Sequence, residues 1–429
     1  MPDFNLPYGG SYLPVTIPDD WLGEIVAPVP VQPAADPPEV IAQALANPIG
    51  APRLEQLARP GQKATILIDD YTRKTPTHLL LPPLLEKLEW VGIKKQDITL
   101  IIALGSHRPM NRTELHTKLG KTILGTYRVI NAPADNDANL TCLGLSPSGI
   151  SVHVLPDLAE ADLRIGLGMI TPHMDAGFSG GTKIILPGAC SLQTVDAFHA
   201  LAISQPENQL GNPDAPLRLE LEHFISSQMP LHFILNLVLT PDNLVYECVA
   251  GEPVSAHRVG VGYARNAYGA AVRRRYPLVV ANCYPYQQDL WQSMKGLWCG
   301  ELLTQDGGTL VLVTHASEGH SNYPLLPRYI GQNPTALLAE LQNGGAADPK
   351  SAVTGLLVGW MKQRIRLALV SQGLSREDAR MMEFDWYPHL ESALEYEICH
   401  LPSDQRHGCI ALIPRAGVTL PLLPAANTS

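Results

Sequence analysis

Short apolar runs alternate with helical patterns along the first half of the chain. Three runs lack polar alternation, which predicts strands buried on both faces of a sheet: residues 63–69, 97–105 and 163–170. Residues 77–90 repeat apolar positions at helical spacing, although Pro82 and Pro83 restrict where that helix begins. The segment Asn111-Arg112-Thr113-Glu114 resembles a capping box and predicts a helix through Leu119. Strands that alternate with helices predict a parallel α/β sheet.

A second series of the same kind begins near residue 276. It contains predicted strands at 277–283 and 308–314, a predicted helix at 289–304, and helical patterns at 335–342, 351–372 and 388–400. A chain of 429 residues exceeds a single comfortable core. We therefore expect two α/β domains with mainly parallel sheets and a cleft between them, an N-terminal domain over 1–272 and a C-terminal domain over 273–429. A late predicted strand at 408–414 suits either sheet, that of the N-terminal domain included.

Polar side chains follow each of the first three predicted strands. Asp70-Tyr71-Thr72-Arg73 follows the first, Ser106-His107-Arg108-Pro109 follows the second, and a segment from His173 to Lys183 follows the third. Ligands of open parallel sheets bind at the carboxyl ends of the strands. We therefore expect the three loops to converge on one site.

The charge and composition of the chain argue against several classes of partner and location. The net charge of −10 argues against nucleic acid and against an anionic membrane surface. No apolar run approaches the ~20 residues that span a bilayer, and the N-terminus lacks the pattern of a signal peptide. The seven cysteines show no CxxC spacing, which is typical of free, mostly buried thiols in a reducing compartment. We expect a cytoplasmic protein.

Residues 177–183 form a glycine-rich turn that ends in Lys183. Glycine allows backbone N–H groups to approach an anion closely, so Gly177, Ser179, Gly180 and Gly181 are candidate ligand contacts. The turn is not a Walker A loop, because Thr182 precedes the lysine and Ile184 follows it. Gly166 and Gly168 lack the third glycine of a dinucleotide fingerprint. Lys183 is then either a point charge or a latent nucleophile.

The histidines have structural as well as chemical interpretations. His107 and His173 each follow a predicted strand, and together they suggest two proton-transfer groups that face one ligand. His199 lies in a predicted helix over 191–202, where a core position and a metal ligand are both open. Asp70 and Arg73 form a local ion pair, or lie in an exposed loop, or have chemical roles in which the carboxylate holds a histidine tautomer and the guanidinium grips a carboxylate.

The segments DYTRKTP (70–76), ALGSHRP (103–109) and PHMDAGFSGGTKIILPG (172–188), together with His199, resemble the lactate racemase family. This family comprises 2-hydroxyacid racemases and epimerases that depend on a nickel-pincer nucleotide. QSMK (292–295) and the SEG turn (317–319) match more weakly. The resemblance covers nearly the whole chain.

The resemblance implies a cofactor and a role for each residue. The cofactor is the nickel complex of pyridinium-3-thioamide-5-thiocarboxylic acid mononucleotide, tethered covalently to Lys183 with His199 as a nickel ligand. Asp70, Thr72 and the glycine-rich turn would lie beside it. His107 and His173 would be the acid and base, and Arg73, Gln292 and Lys295 would contact the substrate. Enzymes of cofactor biosynthesis are implied partners, and the oligomeric state stays open.

The implied reaction inverts carbon 2 of a 2-hydroxy acid by coupled hydride and proton transfer through a 2-keto acid. Asp175, close to His173, would repel a second substrate carboxylate and so favours lactate or a polyhydroxy (aldonic) acid over malate. Trp360 either walls the pocket or packs in the core. A zinc- or iron-dependent lyase or hydratase, and a non-catalytic protein that binds a nucleotide or cofactor, are the alternatives.

Overall fold

The computed structural model describes residues 3–132, 139–204, 207–320 and 323–424. The chain divides into two compact units. Unit I comprises residues 30–201 and 211–267, and unit II comprises residues 1–29, 202–210 and 268–429. Both units are α/β, as the sequence predicts.

Within the described residues, the strands β1 to β20 are, in chain order, Asp3–Tyr8, Ser11–Thr16, Leu22–Ile25, Ala64–Asp69, Ile98–Ala103, Arg128–Asn131, Thr141–Leu145, Ser151–Val154, Leu163–Met169, Pro172–His173, Gly177–Phe178, Phe233–Leu239, Val245–Gly251, Gly269–Ala271, Tyr276–Asn282, Thr304–Thr314, Arg366–Ser371, Asp385–Tyr387, Ile410–Ile413 and Leu420–Leu422. The helices α1 to α15 are Pro37–Ala46, Leu54–Leu57, Thr77–Val91, Arg112–Leu119, Lys121–Thr126, Pro156–Ala159, Leu192–Ala200, Pro216–Gln228, Pro253–Tyr268, Leu290–Leu303, Leu326–Ile330, Pro334–Gln342, Pro349–Lys362, Arg376–Met382 and Leu390–His400.

The sheet of unit I has the strand order β13-β12-β9-β4-β5-β6. All neighbours are parallel except β12 and β13. Every residue of β4, β9 and β12 is buried, which is why their sequences are mostly apolar and do not alternate with polar residues. The strands predicted at 63–69, 97–105 and 163–170 are confirmed as β4, β5 and β9.

Helix α3 contains both prolines that were expected to restrict its start. The helix begins at Thr77, ahead of Pro82 and Pro83, and continues to Val91. Each proline removes one hydrogen-bond donor, and five buried leucines offset that loss by packing against the core: Leu80, Leu81, Leu84, Leu85 and Leu88. The capping box before α4 is confirmed, because Asn111 and Glu114 each bond the other's backbone N–H, at 3.0 and 2.9 Å.

The sheet of unit II has the strand order β18-β17-β16-β15-β19-β3, with all neighbours parallel. The last predicted strand, 408–414, is β19, and it lies between β15 and β3 in this sheet. Because β3 comes from the start of the chain, residues 1–29 belong to unit II and not to the N-terminal domain expected over 1–272. The side chains of Leu6 and Val15 join the same apolar core.

The helical pattern predicted at 351–372 is wrong in its second half. Helix α13 ends at Lys362, and residues 366–371 form β17 beside β16. Four consecutive apolar residues of β17 are buried, so a short buried strand was taken for a helical segment.

The cysteines are free and mostly buried, as predicted. Among the helices of the described residues, none is both long and apolar enough to cross a membrane.

Candidate active site in unit I

The three polar loops that follow β4, β5 and β9 leave the sheet at one edge. Strand β4 lies between β5 and β9 and is parallel to both, so the carboxyl ends of all three strands point the same way. The loops carry Asp70, His107 and His173. The expected convergence of loops 70–73 and 106–109 is confirmed by direct contact between them.

Asp70 holds the ring of His107. Oδ2 of Asp70 lies 2.6 Å from Nδ1 of His107, and Oδ1 accepts hydrogen bonds from the hydroxyl and the N–H of Thr72 at 2.6 and 3.1 Å. Burial raises the pKa of Asp70, but the hydrogen bonds from His107 and Thr72 and the charge of Arg73 outweigh burial and leave the pKa lowered. The ionised carboxylate therefore fixes the proton of His107 on Nδ1.

Lys118 fastens the loop that carries Asp70. Its ammonium, on α4, donates to Oδ1 of Asp69 at 2.7 Å and to the carbonyls of Asp70 and Arg73 at 3.0 and 3.1 Å. The hydroxyl of Thr75 donates to the other oxygen of Asp69. Lys118 is not apparent from the sequence, because no local motif marks a lysine whose partners lie more than forty residues away. The sequence does contain one indirect signal, which is Asp69. A carboxylate at the end of a buried strand needs a cationic partner.

His173 ends β10, which pairs with β11 in a tight hairpin. Its Nδ1 accepts a hydrogen bond from the backbone N–H of Asp175 at 3.1 Å. The carboxylate of Asp175 lies 4.0 Å from the same nitrogen and 3.5 Å from Nδ1 of His199, measured to Oδ2. Asp175 thus joins the two histidines, which sequence spacing could not show.

Two buried groups of this site have shifted pKa values. Burial, with the charges of Lys183, Arg73 and His199, lowers the pKa of His173 well below its usual range. Burial and the charge of Arg73 lower the pKa of Lys183 to about 7, against a smaller opposing effect of Asp175. A large share of the Lys183 amine is therefore neutral, and nucleophilic, near pH 7.

The glycines of the glycine-rich turn are required by packing. Gly177, Gly180 and Gly181 have φ of +69, +77 and +61°, which side chains rarely adopt. A Cβ at each position would meet protein: the carbonyl of Asn212 at 1.6 Å, the side chain of Ile170 at 2.8 Å and the ring of His257 at 3.0 Å. The hydroxyl of Ser179 donates to the carbonyl of Met169 and accepts from the N–H of Thr171, at 2.8 and 3.0 Å. The contacts of these four residues with a cofactor stay a prediction.

A buried arginine holds the turn from behind. The guanidinium of Arg218 donates to the carbonyls of Ala176 and Gly180, at 3.3 and 3.1 Å, and to that of Phe178. Nε2 of His257 bonds the carbonyl of Ser179 at 2.9 Å. Neither residue is apparent from the sequence, because helical positions 38 and 78 residues away from their partners in the turn carry no local signal.

His199 lies on α7, which Ser191 caps through its side chain. Its Nδ1 faces Asp175, and no hydrogen-bond partner for Nε2 is found among the described residues. Across the described part of the chain, no group of three or more His, Cys, Asp or Glu side chains could hold a metal ion. Among the described residues His199 is thus a single imidazole donor, and it shares the carboxylate of Asp175 with His173.

The remaining candidates lie in unit II. Nζ of Lys295 donates to Oε1 of Gln292 at 2.7 Å and lies 3.4 Å from the ring centre of Tyr286. Trp360 is partly buried and packs against an apolar cluster that includes Tyr329 and Leu356. Those contacts favour the core interpretation of Trp360 over the pocket wall.

Known proteins resemble this chain over most of its length. Residues 8–211 match the family model described as the lactate racemase N-terminal domain. A curated relative named lactate racemase, from Lactiplantibacillus plantarum, is 31% identical over 324 residues, which are 75% of this chain and 76% of the relative. A second lactate racemase, from Thermoanaerobacterium thermosaccharolyticum, is 30% identical over 325 residues, with the same shares of both chains.

Two solved structures extend the likeness. The lactate racemase apoprotein from T. thermosaccharolyticum aligns with a TM-score of 0.85 at 26% identity, over 99% of this chain and 100% of that chain. A protein from Thermotoga maritima aligns with a TM-score of 0.67 at 21% identity, over 92% of this chain and 100% of that chain. The second likeness shows the fold alone.

Proposed function

The chain belongs to the lactate racemase family and is an isomerase, and we propose that it inverts carbon 2 of lactate with a nickel-pincer nucleotide tethered to Lys183. The observation that carries this proposal is the grouping around Asp175 of an acid–base candidate, a metal-ligand candidate and a buried amine. These are His173, His199 and Lys183. The proposal also takes in the expected cytoplasmic location and the need for enzymes that make the cofactor.

The side chains fit such a cofactor. A covalent tether needs a neutral amine, and the lowered pKa of Lys183 supplies one near pH 7. Nickel suits an imidazole nitrogen, and the contact of His199 Nδ1 with Asp175 leaves Nε2 for the metal. A single imidazole suits a cofactor that brings its other nickel ligands itself.

When bound, this group supplies the acceptor and donor of the hydride at carbon 2. The protein then has to move the hydroxyl proton, on either face of that carbon. His107 suits proton transfer on one face of carbon 2, because the contact of Asp70 with Nδ1–H makes Nε2 the nitrogen that takes a proton and returns it. His173 is the proposed group for the opposite face.

Two cationic side chains and one amide bind the substrate carboxylate in this proposal. Arg73 follows β4 in the same loop as Asp70, and its guanidinium donates to the hydroxyl of Thr72 at 3.2 Å. A guanidinium can grip a carboxylate with two parallel hydrogen bonds. Gln292 and Lys295, joined by a hydrogen bond, are the proposed further contacts from unit II.

The substrate proposal now centres on lactate. An aldonic acid is favoured where the Asp175 carboxylate lies beside the distal end of the substrate. That carboxylate instead faces two histidines of the same unit. These contacts neither support nor contradict a polyhydroxy substrate, whereas the named relatives favour lactate.

The test is to produce the chain together with the enzymes of cofactor synthesis. Intact-mass spectrometry should find an adduct on Lys183 that contains sulfur and nickel, and chiral chromatography should find D-lactate formed from L-lactate. Lys183→Arg should lose the adduct and the activity together. Racemisation without any adduct would refute the proposed cofactor. An adduct without racemisation of any 2-hydroxy acid would refute the proposed reaction.

A further inference from the structure

The two acid–base candidates are held in different ways by their neighbours. An ionised carboxylate faces Nδ1 of His107, at 2.6 Å, so this nitrogen carries a proton. A backbone N–H faces Nδ1 of His173, at 3.1 Å, so this nitrogen must offer a lone pair. The two rings are therefore in opposite tautomers.

The tautomer of His173 is unsuited to proton transfer. With Nδ1 occupied by the amide of Asp175, the neutral ring carries its proton on Nε2. Such a ring cannot accept a proton at Nε2, and the loss of that proton would leave an imidazolate anion. Acid–base work at Nε2 needs a protonated Nδ1, which would repel the N–H of Asp175. The partner of Nδ1 must therefore change before His173 can react.

We propose that the carboxylate of Asp175 is that second partner, and that it positions His173 for catalysis as Asp70 positions His107. This inference rests on the proposed function and deepens it. Asp175 is then a positioning residue, because it acts on the substrate through His173.

The distances around Asp175 support a small exchange. Oδ2 lies 4.0 Å from Nδ1 of His173, and an N–H···O bond to a carboxylate is about 2.7–2.9 Å long. A movement of about 1.2 Å, within reach of one side-chain rotation, closes the difference. The side chain of Asp175 is 12% exposed, so water competes little for its oxygens. A protonated His173 would gain a counter-ion that offsets the charges of Lys183 and Arg73.

His199 competes for the same oxygen. Its Nδ1 lies 3.5 Å from Oδ2 of Asp175, closer than that of His173. If Asp175 served His199 alone, its loss would weaken the metal site and stop all chemistry. If it serves His173, its loss should spare the metal and stop proton transfer on one face only. The two roles therefore differ in measurable ways.

The experiment compares Asp175→Asn with Asp70→Asn, both produced with the cofactor-synthesis enzymes. Intact mass and nickel content report loading, and chiral chromatography reports racemisation. Acid quenching after a single turnover reports the 2-keto acid formed from each enantiomer separately, with the hydride held by the tethered nucleotide. Asp404→Asn, an exposed aspartate of unit II, is the matched control and should behave as the wild type.

We expect Asp175→Asn to keep the adduct and nickel, and to racemise at least about 100-fold more slowly. It should form keto acid from one enantiomer only, and Asp70→Asn should form it from the other. Loss of nickel with both half-reactions would overturn the inference in favour of a role for His199. Wild-type racemisation by Asp175→Asn would overturn it as well. A wild-type chain without an adduct would overturn the proposed function itself, and this inference with it.

Discussion

Nζ of Lys118 lies 2.7 Å from Oδ1 of Asp69, at the point where β4 ends and the active-site loop begins. The same ammonium binds the carbonyls of Asp70 and Arg73. Lys118 thus fixes the backbone of two residues that are proposed to act on His107 and on the substrate. Helix α4, which follows the loop of His107, thereby holds the loop of Asp70 and Arg73.

Replacing Lys118 with Met should disturb catalysis as well as stability. Breaking a buried ion pair costs about 3–5 kcal/mol, and a displacement near 1 Å in an active site can reduce the rate about 10²-fold. We expect losses of this size in the free energy of unfolding, from urea titration, and in kcat. Lys121→Met, at an exposed position of α5, is the control and should change stability by less than about 0.5 kcal/mol. Wild-type activity in Lys118→Met would refute the positioning role.

The reactivity of Lys183 should show its lowered pKa. An ordinary lysine has a pKa of about 10.4 and is almost wholly protonated at pH 8. With a pKa of about 7, Lys183 loses its proton as the pH rises through 7, so its reactivity rises over that range and then levels off. Competitive labelling of the unloaded protein with acetic anhydride, followed by peptide mass spectrometry, measures this. Lys121 is the internal reference, and a Lys183 profile that matches it would contradict the prediction.

Sequence patterns predicted those parts of the fold that depend on local order. Strands β4, β5 and β9 are buried on both faces almost throughout, and that burial is why their sequences are mostly apolar without polar alternation. Their parallel order places the loops that follow them at the same end of the sheet. The strand order alone therefore suffices to predict that Asp70 and His107 lie close together.

Features that depend on distant packing could not be predicted. Arg218 binds carbonyls of the glycine-rich turn from about 40 residues further along the chain, and an arginine in an amphipathic helix ordinarily faces water. The placement of β3 beside β19 joins residues almost 400 positions apart. The sequence suggests that the glycines of the turn bind an anion. In the structure, the close contacts that a Cβ would make with the rest of unit I explain why these positions are glycine.

Two Gly→Ala variants should have opposite effects. At Gly177 an alanine Cβ would lie 1.6 Å from the carbonyl of Asn212, at a φ of +69°, so the turn has to move. We expect a loss of more than about 2 kcal/mol in the free energy of unfolding and a lower yield of the Lys183 adduct. Gly262 lies within α9 with open space where a Cβ would be, so Gly262→Ala should stabilise the protein by about 0.5–1 kcal/mol. Thermal and urea unfolding measure both, and a stable Gly177→Ala would show that the turn can shift freely.

Replacing Arg218 should reveal whether the turn needs the guanidinium or only a positive charge. Arg218 is fully buried and bonds the carbonyls of Ala176, Phe178 and Gly180. Arg218→Met leaves these acceptors without donors and should cost about 3–5 kcal/mol of unfolding free energy. Arg218→Lys keeps the charge, but a single ammonium cannot reproduce the planar fork that reaches all three carbonyls.

We therefore expect Arg218→Lys to recover less than half of the stability lost in Arg218→Met. Hydrogen exchange should show faster opening of the turn amides in both variants, because the carbonyls that Arg218 holds belong to that turn. Arg265→Met, at an exposed position of α9, removes a charge from unit I without touching the turn and should leave both measurements unchanged. Full stability in Arg218→Lys would mean that charge alone holds the turn. The charge of Arg218 also lowers the pKa of Lys183, and because lysine keeps that charge, the pKa of Lys183 should then be the same in Arg218→Lys as in the wild type.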